Sequence, residues 1–300
     1  STMHIRIGCP AHNPDRQTQM QDSMVVVTGA SDGIGYICAQ QLAAMGAQIV
    51  LVGRDDGKCS DAVVALQNTT GNTNISFEIA DLSLLHDVRA LAQRLLDSHA
   101  HIDVLLNNAG GYFQQSSLTL EGLEHTFALN HMAYFLLTDL LLPSLAKAKQ
   151  GRIINVASRA HRHASLNFED LQGKADYDGW PAYCRSKLMN IMSTYALARR
   201  LEGTAITANS LHPGFVRSKF GHNNPGFTGL LVRASQLLLA ISLQAGAKTS
   251  VYAASAPELV ATSGLYFNKC KAAASSPASM DVAAQERLWQ ISTELAASIP

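Results

Sequence analysis

Three features of this sequence predict an α/β fold with a doubly wound parallel sheet. Short apolar, β-branched runs alternate with longer helix-like stretches along its 300 residues, which is the pattern of β-α-β units covered on both faces. The turn between the first run and the first helix is rich in glycine. Further turns bearing Gly, Ser or Asn fall just after the carboxyl ends of the runs, the edge at which open α/β sheets bind ligands. No linker, repeat or charge block interrupts the middle of the chain. One domain over 24–300, behind a flexible segment 1–23, is the expected organisation.

The elements follow in order. Met24 to Thr28 reads as a buried strand because it is short, apolar and β-branched. The glycine turn leads into a helix from Tyr36 to Met45 that stops at Gly46, glycine being the usual residue past a helix end. Gln48 to Val52 is the second strand, a helix spans Gly57 to Gln67, and Ile75 to Ile79 is the third strand. His86 to His99 is helical, and Ile102 to Leu106 is a strand ending in Asn107-Asn108-Ala109-Gly110. Leu123 to Ala148 forms a long helix bent at Pro143, where the missing N–H breaks the hydrogen-bond ladder. Arg152 to Val156 is a strand leading to Ser158, Tyr183 to Leu201 a helix, and Ile206 to Leu211 a strand ending in His212-Pro213-Gly214.

Composition narrows the function. Acidic and basic residues balance at 23 each, so no surplus positive charge points to nucleic acid. The five cysteines, at 9, 38, 59, 184 and 270, show no metal-ligand spacing. Reduced thiols in a reducing compartment are expected, and no metal site. Nothing reaches the roughly 18 apolar residues a membrane span needs. Gly229 to Gly246 comes nearest but is interrupted by Arg233, Ser235 and Gln236. A cytoplasmic location is expected.

Two constellations carry chemistry. Thr28-Gly29-x-x-x-Gly33-x-Gly35 lies between a strand and a helix. Glycine there permits a tight turn and close backbone approach to a pyrophosphate, which the helix amides then face. An acid at the end of the second strand would hold a ribose 2′-hydroxyl. Gly53 and Arg54 stand there instead, and the planar guanidinium suits a 2′-phosphate, favouring NADP(H), although Asp55 and Asp56 follow closely. The second constellation is Tyr183-x-x-x-Lys187, with Ser158 upstream. Four residues is one helical turn, so both side chains share a face. An ammonium so placed lowers a phenol pKa that is otherwise near ~10, which makes a proton donor and acceptor usable near neutrality.

These motifs, with Asp81-Leu82, Asn107-Asn-Ala-Gly110, Asn130 and Pro213-Gly214, occur in the order and at the spacings of one family. The chain resembles the short-chain dehydrogenase/reductases over roughly 24–220. Asn167-Phe-Glu-Asp-Leu-Gln-Gly173, Ala182-Tyr-Cys-Arg-Ser-Lys-Leu188, Tyr266-Phe-Asn-Lys-Cys-Lys271 and Ala284-x-x-Arg287-Leu-Trp289 are similar to its retinol dehydrogenase branch.

The resemblance implies a Rossmann-like sheet and hydride transfer between a nicotinamide and a carbonyl or alcohol carbon. Ser158 would hold the substrate oxygen, Tyr183 would move the proton, and Lys187 would lower the tyrosine pKa and grip the nicotinamide ribose. Asn130 would hold a water linking Lys187 to solvent. Cofactor contacts would come from Gly29, Ser31, Asp32, Gly33, Ile34, Gly35, Arg54, Asp81, Leu82, Asn108, Ala109, Gly110, Pro213 and Gly214, with Tyr183 and Lys187 shared. The apolar segment 215–263 is expected as a lid, with Leu230 to Leu243 lining a pocket for a lipophilic substrate. His161 and His163 with Arg159 and Arg162 read as a solvated loop. A homodimer through the helices at Leu123 to Ala148 and Tyr183 to Leu201 is a further expectation. Two other readings stand beside the oxidoreductase. One is an NADP-binding sensor or scaffold without turnover. The other is a double-bond reductase like the protochlorophyllide reductases.

Overall fold

A computed structural model describes residues 19–213 and 243–299. Its centre is a sheet of eight strands in the order β3-β2-β1-β4-β5-β6-β7-β8. The strands are β1 (Met24–Thr28), β2 (Gln48–Gly53), β3 (Ile75–Ile79), β4 (Val104–Asn107), β5 (Gly151–Val156), β6 (Ile206–His212), β7 (Tyr266–Asn268) and β8 (Lys271–Ala272). All neighbours pair in parallel except β7 with β8.

Successive side chains of a strand point to opposite faces, and the core divides accordingly. Val25 and Val27 join Ile49, Leu51, Leu106 and Ile154 on one face. Val26 joins Val50, Val52, Leu105 and Ile153 on the other. Helices α1 (Gly33–Ala44) and α2 (Asp56–Thr70) supply the first face with Leu42 and Leu66. The second face is closed by α3 (Leu85–Ser98), α4 (Ala133–Leu145) and α5 (Gly179–Arg200), through Leu91, Leu137 and Leu188. Strands buried on both faces are why the sequence reads as unbroken apolar runs.

The structure departs from the sequence expectations in five places. The helix expected over Leu123 to Ala148 is broken up: a turn at His125–Phe127, a π-helical turn at Ala128–Met132, then α4. Pro143 sits in the last turn of α4, and the helix ends at Leu145. Of the expected lid, 214–242 lies outside the described residues. Its later part is α6 (Leu243–Ser255), whose Ala247, Val251 and Ala254 are buried in the α1 face of the core. A helix buried against the sheet is core, so the lid does not extend over 243–255.

Of the segment 1–23 expected to be flexible, 1–18 lies outside the described residues and the remainder is held in place. Met20 is buried, and Gln19 donates from its amide to Ser255 O at 2.6 Å. Cys270 is disulfide-bonded, whereas Cys38, Cys59 and Cys184 are free. Spacing along the sequence did not reveal that approach in space, and the expectation of reduced thiols fails at Cys270.

The fifth departure is α7 (Val282–Ser298), which packs along α5 and against α4. Leu288 is fully buried, Trp289 meets Phe135 edge-on at 4.8 Å, and Ser292 bonds the buried His131 at 2.8 Å. Glu286 pairs with Arg199 at 2.7 Å and with Arg200 at 2.5 Å. α7 therefore lies on part of the helix pair expected to form a homodimer face. Leu288→Ala should cost about 2–5 kcal/mol, the range for a fully buried leucine truncated in a packed core. Urea denaturation would read this as a lower midpoint at unchanged slope.

Candidate active site

The strand order reverses direction between β1 and β4, and the turns that follow these strands meet there. Thr28 Oγ1 accepts from Asn108 N at 2.9 Å and from Ala109 N at 3.0 Å. Asn108 Nδ2 donates to Thr28 O at 2.9 Å and to Gly29 O at 3.2 Å. Gly29 has φ 63°, and a Cβ on it would lie 2.8 Å from Ala109 Cα. One on Gly35 would lie 2.3 Å from Gly29 O. The turn can therefore exist only with glycine at these places. Asp32 caps α1 by accepting from Gly33 N at 2.7 Å. Ser31 and Ile34 are half-buried on either side of it. A bare-backbone cradle at a helix start fits a pyrophosphate.

Arg54 follows β2 and is exposed, with no hydrogen bond or ion pair to the described residues. Asp55 is engaged elsewhere: it caps α2, accepting from Lys58 N at 3.0 Å and pairing with Lys58 Nζ at 3.6 Å. The acid that could have served a ribose hydroxyl is thus committed to its own helix, and Arg54 is not. Asp81 Oδ1 accepts from Ser83 N at 3.0 Å and from Ser83 Oγ at 2.7 Å, which is a turn-forming arrangement. Leu82 is buried beside it. Asp81 and Arg54 both lie close enough to act on His125, whose pKa burial lowers first, with Arg54 reinforcing and Asp81 opposing.

Asn130 and Lys187 converge below Gly110, and Tyr183 lies beside Lys187. A Cβ on Gly110 would lie 3.1 Å from Asn130 Oδ1 and 3.4 Å from Lys187 Nζ. Asn130 sits in the π-helical turn and is fully buried. Its Oδ1 accepts from Gly111 N at 2.8 Å, and its Nδ2 donates to Gly111 O at 2.9 Å and to Ser186 Oγ at 3.0 Å. Both amide hydrogens are thus used by the protein. Lys187, only 4% exposed, donates to Val156 O at 3.0 Å. Its Nζ lies 5.6 Å from the centre of the Tyr134 ring and 5.7 Å from that of Tyr183.

Ser158 follows β5 and caps a short 3-10 turn, its Oγ accepting from Ala160 N at 3.2 Å. Two histidines brace it. His161 bonds Ser158 O through Nδ1 at 2.6 Å and accepts from Ser276 N through Nε2 at 3.0 Å. The accepting Nε2 places the proton on Nδ1, which donates. His212 Nδ1 accepts from Arg159 N at 3.3 Å. The expectation of a solvated loop fails at His161, which is buried. Among the expected cofactor contacts Pro213 closes β6, and Gly214 lies outside the described residues.

Electrostatically the pair differs from the expectation. Burial pushes the Tyr183 phenol well above its ordinary value, opposed by a hydrogen bond with Ser158. Burial also pulls Lys187 down to about 7. A lysine that is itself desolvated loses the charge that would favour phenolate, so desolvation wins over the ion pairing that the spacing implied. Sequence reasoning missed Tyr134, although it stands four residues after Asn130 and so on its helical face. It also missed Tyr112 and Trp180, whose rings flank Tyr183. Among the described residues no group of three or more His, Cys, Asp or Glu could hold a metal ion, and no helix is long and apolar enough to cross a membrane.

Comparisons with known proteins bear on the family and the fold. The short chain dehydrogenase family model matches residues 23–226. Retinol dehydrogenase 12 of Bos taurus is 39% identical over 277 residues, covering 92% of this chain and 87% of the relative. Retinol dehydrogenase 14 of Homo sapiens is 36% identical over 290 residues, covering 91% and 86%. A Mycobacterium paratuberculosis protein of known structure superposes with TM-score 0.74 at 29% identity, covering 93% of this chain and 94% of that one. A short chain dehydrogenase of Escherichia coli CFT073, solved with NADPH, gives TM-score 0.65 at 24% identity over 85% and 99%. At that identity it speaks for the fold alone.

The Lys187 shift carries a pH signature. Between pH 7 and about 10.4, the ordinary lysine value, the unfolded chain binds this proton and the folded chain does not. Stability from this group therefore rises with pH across that window. Wild type should gain stability relative to Lys187→Met from pH 7 to 10, read by denaturation at each pH. A constant difference would contradict the buried, easily deprotonated amine.

Proposed function

The chain belongs to the short chain dehydrogenase family, and from that premise we propose that it is an NADP(H)-dependent oxidoreductase. Its substrate would be a lipophilic alcohol or carbonyl compound, retinoids among them, as the names of its relatives indicate. The observation that carries this reading is the meeting of Ser158, Tyr183 and Lys187 at the carboxyl edge of the sheet, beside Gly110 in the segment that packs on the glycine turn.

The nicotinamide, when bound, supplies or accepts the hydride. The chain's own residues do the rest. Ser158 Oγ, its backbone braced by His161, would donate to the substrate oxygen, where a fixed donor stabilises developing negative charge. Tyr183 would give that oxygen its phenolic proton on reduction. The raised phenol pKa keeps the proton in place at neutrality, the form that reduction needs. Lys187, near about 7, is poised to take up and release protons behind it. Asn130 would act by fixing the Gly110–Gly111 backbone over Lys187 rather than by lending its amide hydrogens to water.

Arg54 supports the phosphorylated cofactor, since its guanidinium has no competing partner among the described residues while Asp55 is occupied. With α7 covering α4 and α5, a homodimer through those helices would need α7 displaced, so a monomer is our reading.

Tyr183→Phe should reduce NADPH oxidation with medium-chain aldehydes or retinal by about 10²-fold or more, the scale of lost general acid help, while NADPH binding persists. Unchanged turnover would sink the assignment. Arg54→Ala should weaken NADPH by about tenfold, the equivalent of one charge-assisted hydrogen bond, and leave NADH alone. Equal losses for the two would remove the 2′-phosphate role.

A further inference from the structure

Two aromatic rings flank the ring of Tyr183, a third lies near Lys187, and they differ in one respect. Tyr112, from the segment after β4, meets it edge-on at 6.3 Å and 86°. Tyr112 is buried in a small cluster with Ala160 and Cys184. Tyr134 is buried on the far side of Lys187. Trp180 lies one helical turn before Tyr183 on α5, its ring centre 6.0 Å away and its plane inclined by only 26°. Unlike the others it is open, with 45% of its surface exposed.

Nothing in the fold demands an indole there. The backbone N–H of Trp180 donates to Asp178 Oδ1 at 3.1 Å, a helix cap that any side chain would allow. The packing constraint falls on its neighbour instead. A Cβ on Gly179 would lie 2.4 Å from Phe113 O and 2.7 Å from Gln114 Cα. The segment after Tyr112 is thus pressed against the start of α5, and Tyr112 and Trp180 each contact the Tyr183 ring.

We propose that Trp180 is a specificity-determining residue: its exposed indole face forms the wall along which the substrate's carbon skeleton lies, and it selects flat conjugated or aryl carbonyl compounds over saturated ones. The inference rests on the reading of Tyr183 as the group that exchanges a proton with the substrate oxygen. A carbonyl oxygen within hydrogen-bond reach of Tyr183 and Ser158 must send the rest of its molecule past one of the flanking rings. Trp180 is the ring with free surface. A flat π-system can lie offset-parallel on an indole, the arrangement aromatic rings prefer, whereas a saturated chain gains only the burial it would gain on any apolar wall.

The test uses two probes, cinnamaldehyde and octanal, and two substitutions of an exposed residue that should not disturb folding, Trp180→Ala and Trp180→Phe. The chain has 2 tryptophans, so the fluorescence of wild type minus that of Trp180→Phe, corrected for aldehyde absorbance, isolates Trp180. With NADP+ present to block turnover, cinnamaldehyde should quench this difference saturably and octanal should not. In steady state with NADPH, Trp180→Ala should raise KM for cinnamaldehyde about tenfold, the scale of a lost aromatic pair. It should leave kcat within about twofold and raise the octanal KM by no more than about threefold, the burial alone, and Trp180→Phe should restore most of the cinnamaldehyde loss. Equal quenching by the two aldehydes, no quenching by either, or equal KM factors for the two would overturn the proposal. If wild type turns over neither aldehyde, the hydride-transfer reading fails instead, and the quenching comparison alone decides whether Trp180 is the wall.

Discussion

The reversal of strand order between β1 and β4 is the constraint on which the rest of this molecule depends. Helices leave the sheet in opposite directions there, so a crevice opens at the carboxyl edge. Left alone, the crevice would expose unpaired backbone at the ends of two central strands. Thr28 and Asn108 close it with four hydrogen bonds across the switch point. In doing so they fix the glycine turn against Ala109, close enough that a single methyl group at Gly29 or Gly35 would collide with backbone. The same turn sets where Gly110 runs, and Gly110 in turn defines the space above Asn130 and Lys187. One edge network thus places both the glycine turn and the cluster of Asn130 and Lys187.

Local constraints were legible in the sequence. Buried parallel strands announce themselves as short β-branched runs, and β1 to β6 fell within a residue or two of where those runs lie. The glycine turn and the Tyr183–Lys187 spacing were legible for the same reason, since each is written within a few residues. What escaped was set by distant partners. The π-helical turn at Ala128–Met132 follows from Asn130 reaching across to Gly111 and Ser186, contacts that no periodicity records. β7 is three residues long and exists because it pairs with β6. His161 looked solvated among arginines, yet its ring is buried between Ser158 and Ser276.

The terminal helix shows how modest contacts add up to a docked element. The pairs from Glu286 to Arg199 and Arg200 are partly exposed, and exposed pairs contribute on the order of 0–1 kcal/mol. They orient α7 more than they hold it. Arg200 also lies over the Trp289 ring at 4.3 Å, so its charge remains in water while its stem covers apolar surface. The main stabilisation comes from burying Leu288 and from Trp289 against Phe135. The buried His131 has its pKa pulled down to about 3 by desolvation. It therefore stays neutral, and as a neutral ring it can bond Ser292 without the cost of a buried charge.

The same arithmetic governs the reactive pair. A charged ammonium and a phenolate, both buried, would attract each other, but each would lose its hydration. Repayment needs close geometry and further hydrogen bonds. Lys187 has one carbonyl, that of Val156, and two ring faces at more than 5 Å. That is too little to hold a full charge, so the amine is pulled toward neutrality and the phenol keeps its proton. Tyrosine and lysine four residues apart therefore do not by themselves make a phenolate. They make a pair whose charge state is open to whatever hydroxyl or anion next enters the crevice, since any new donor or acceptor near Lys187 Nζ shifts a balance that burial has left close to even at neutral pH. For the proton exchange proposed for this pair, that balance is more useful than a strongly stabilised ion pair, whose proton would be held too tightly in one state or the other.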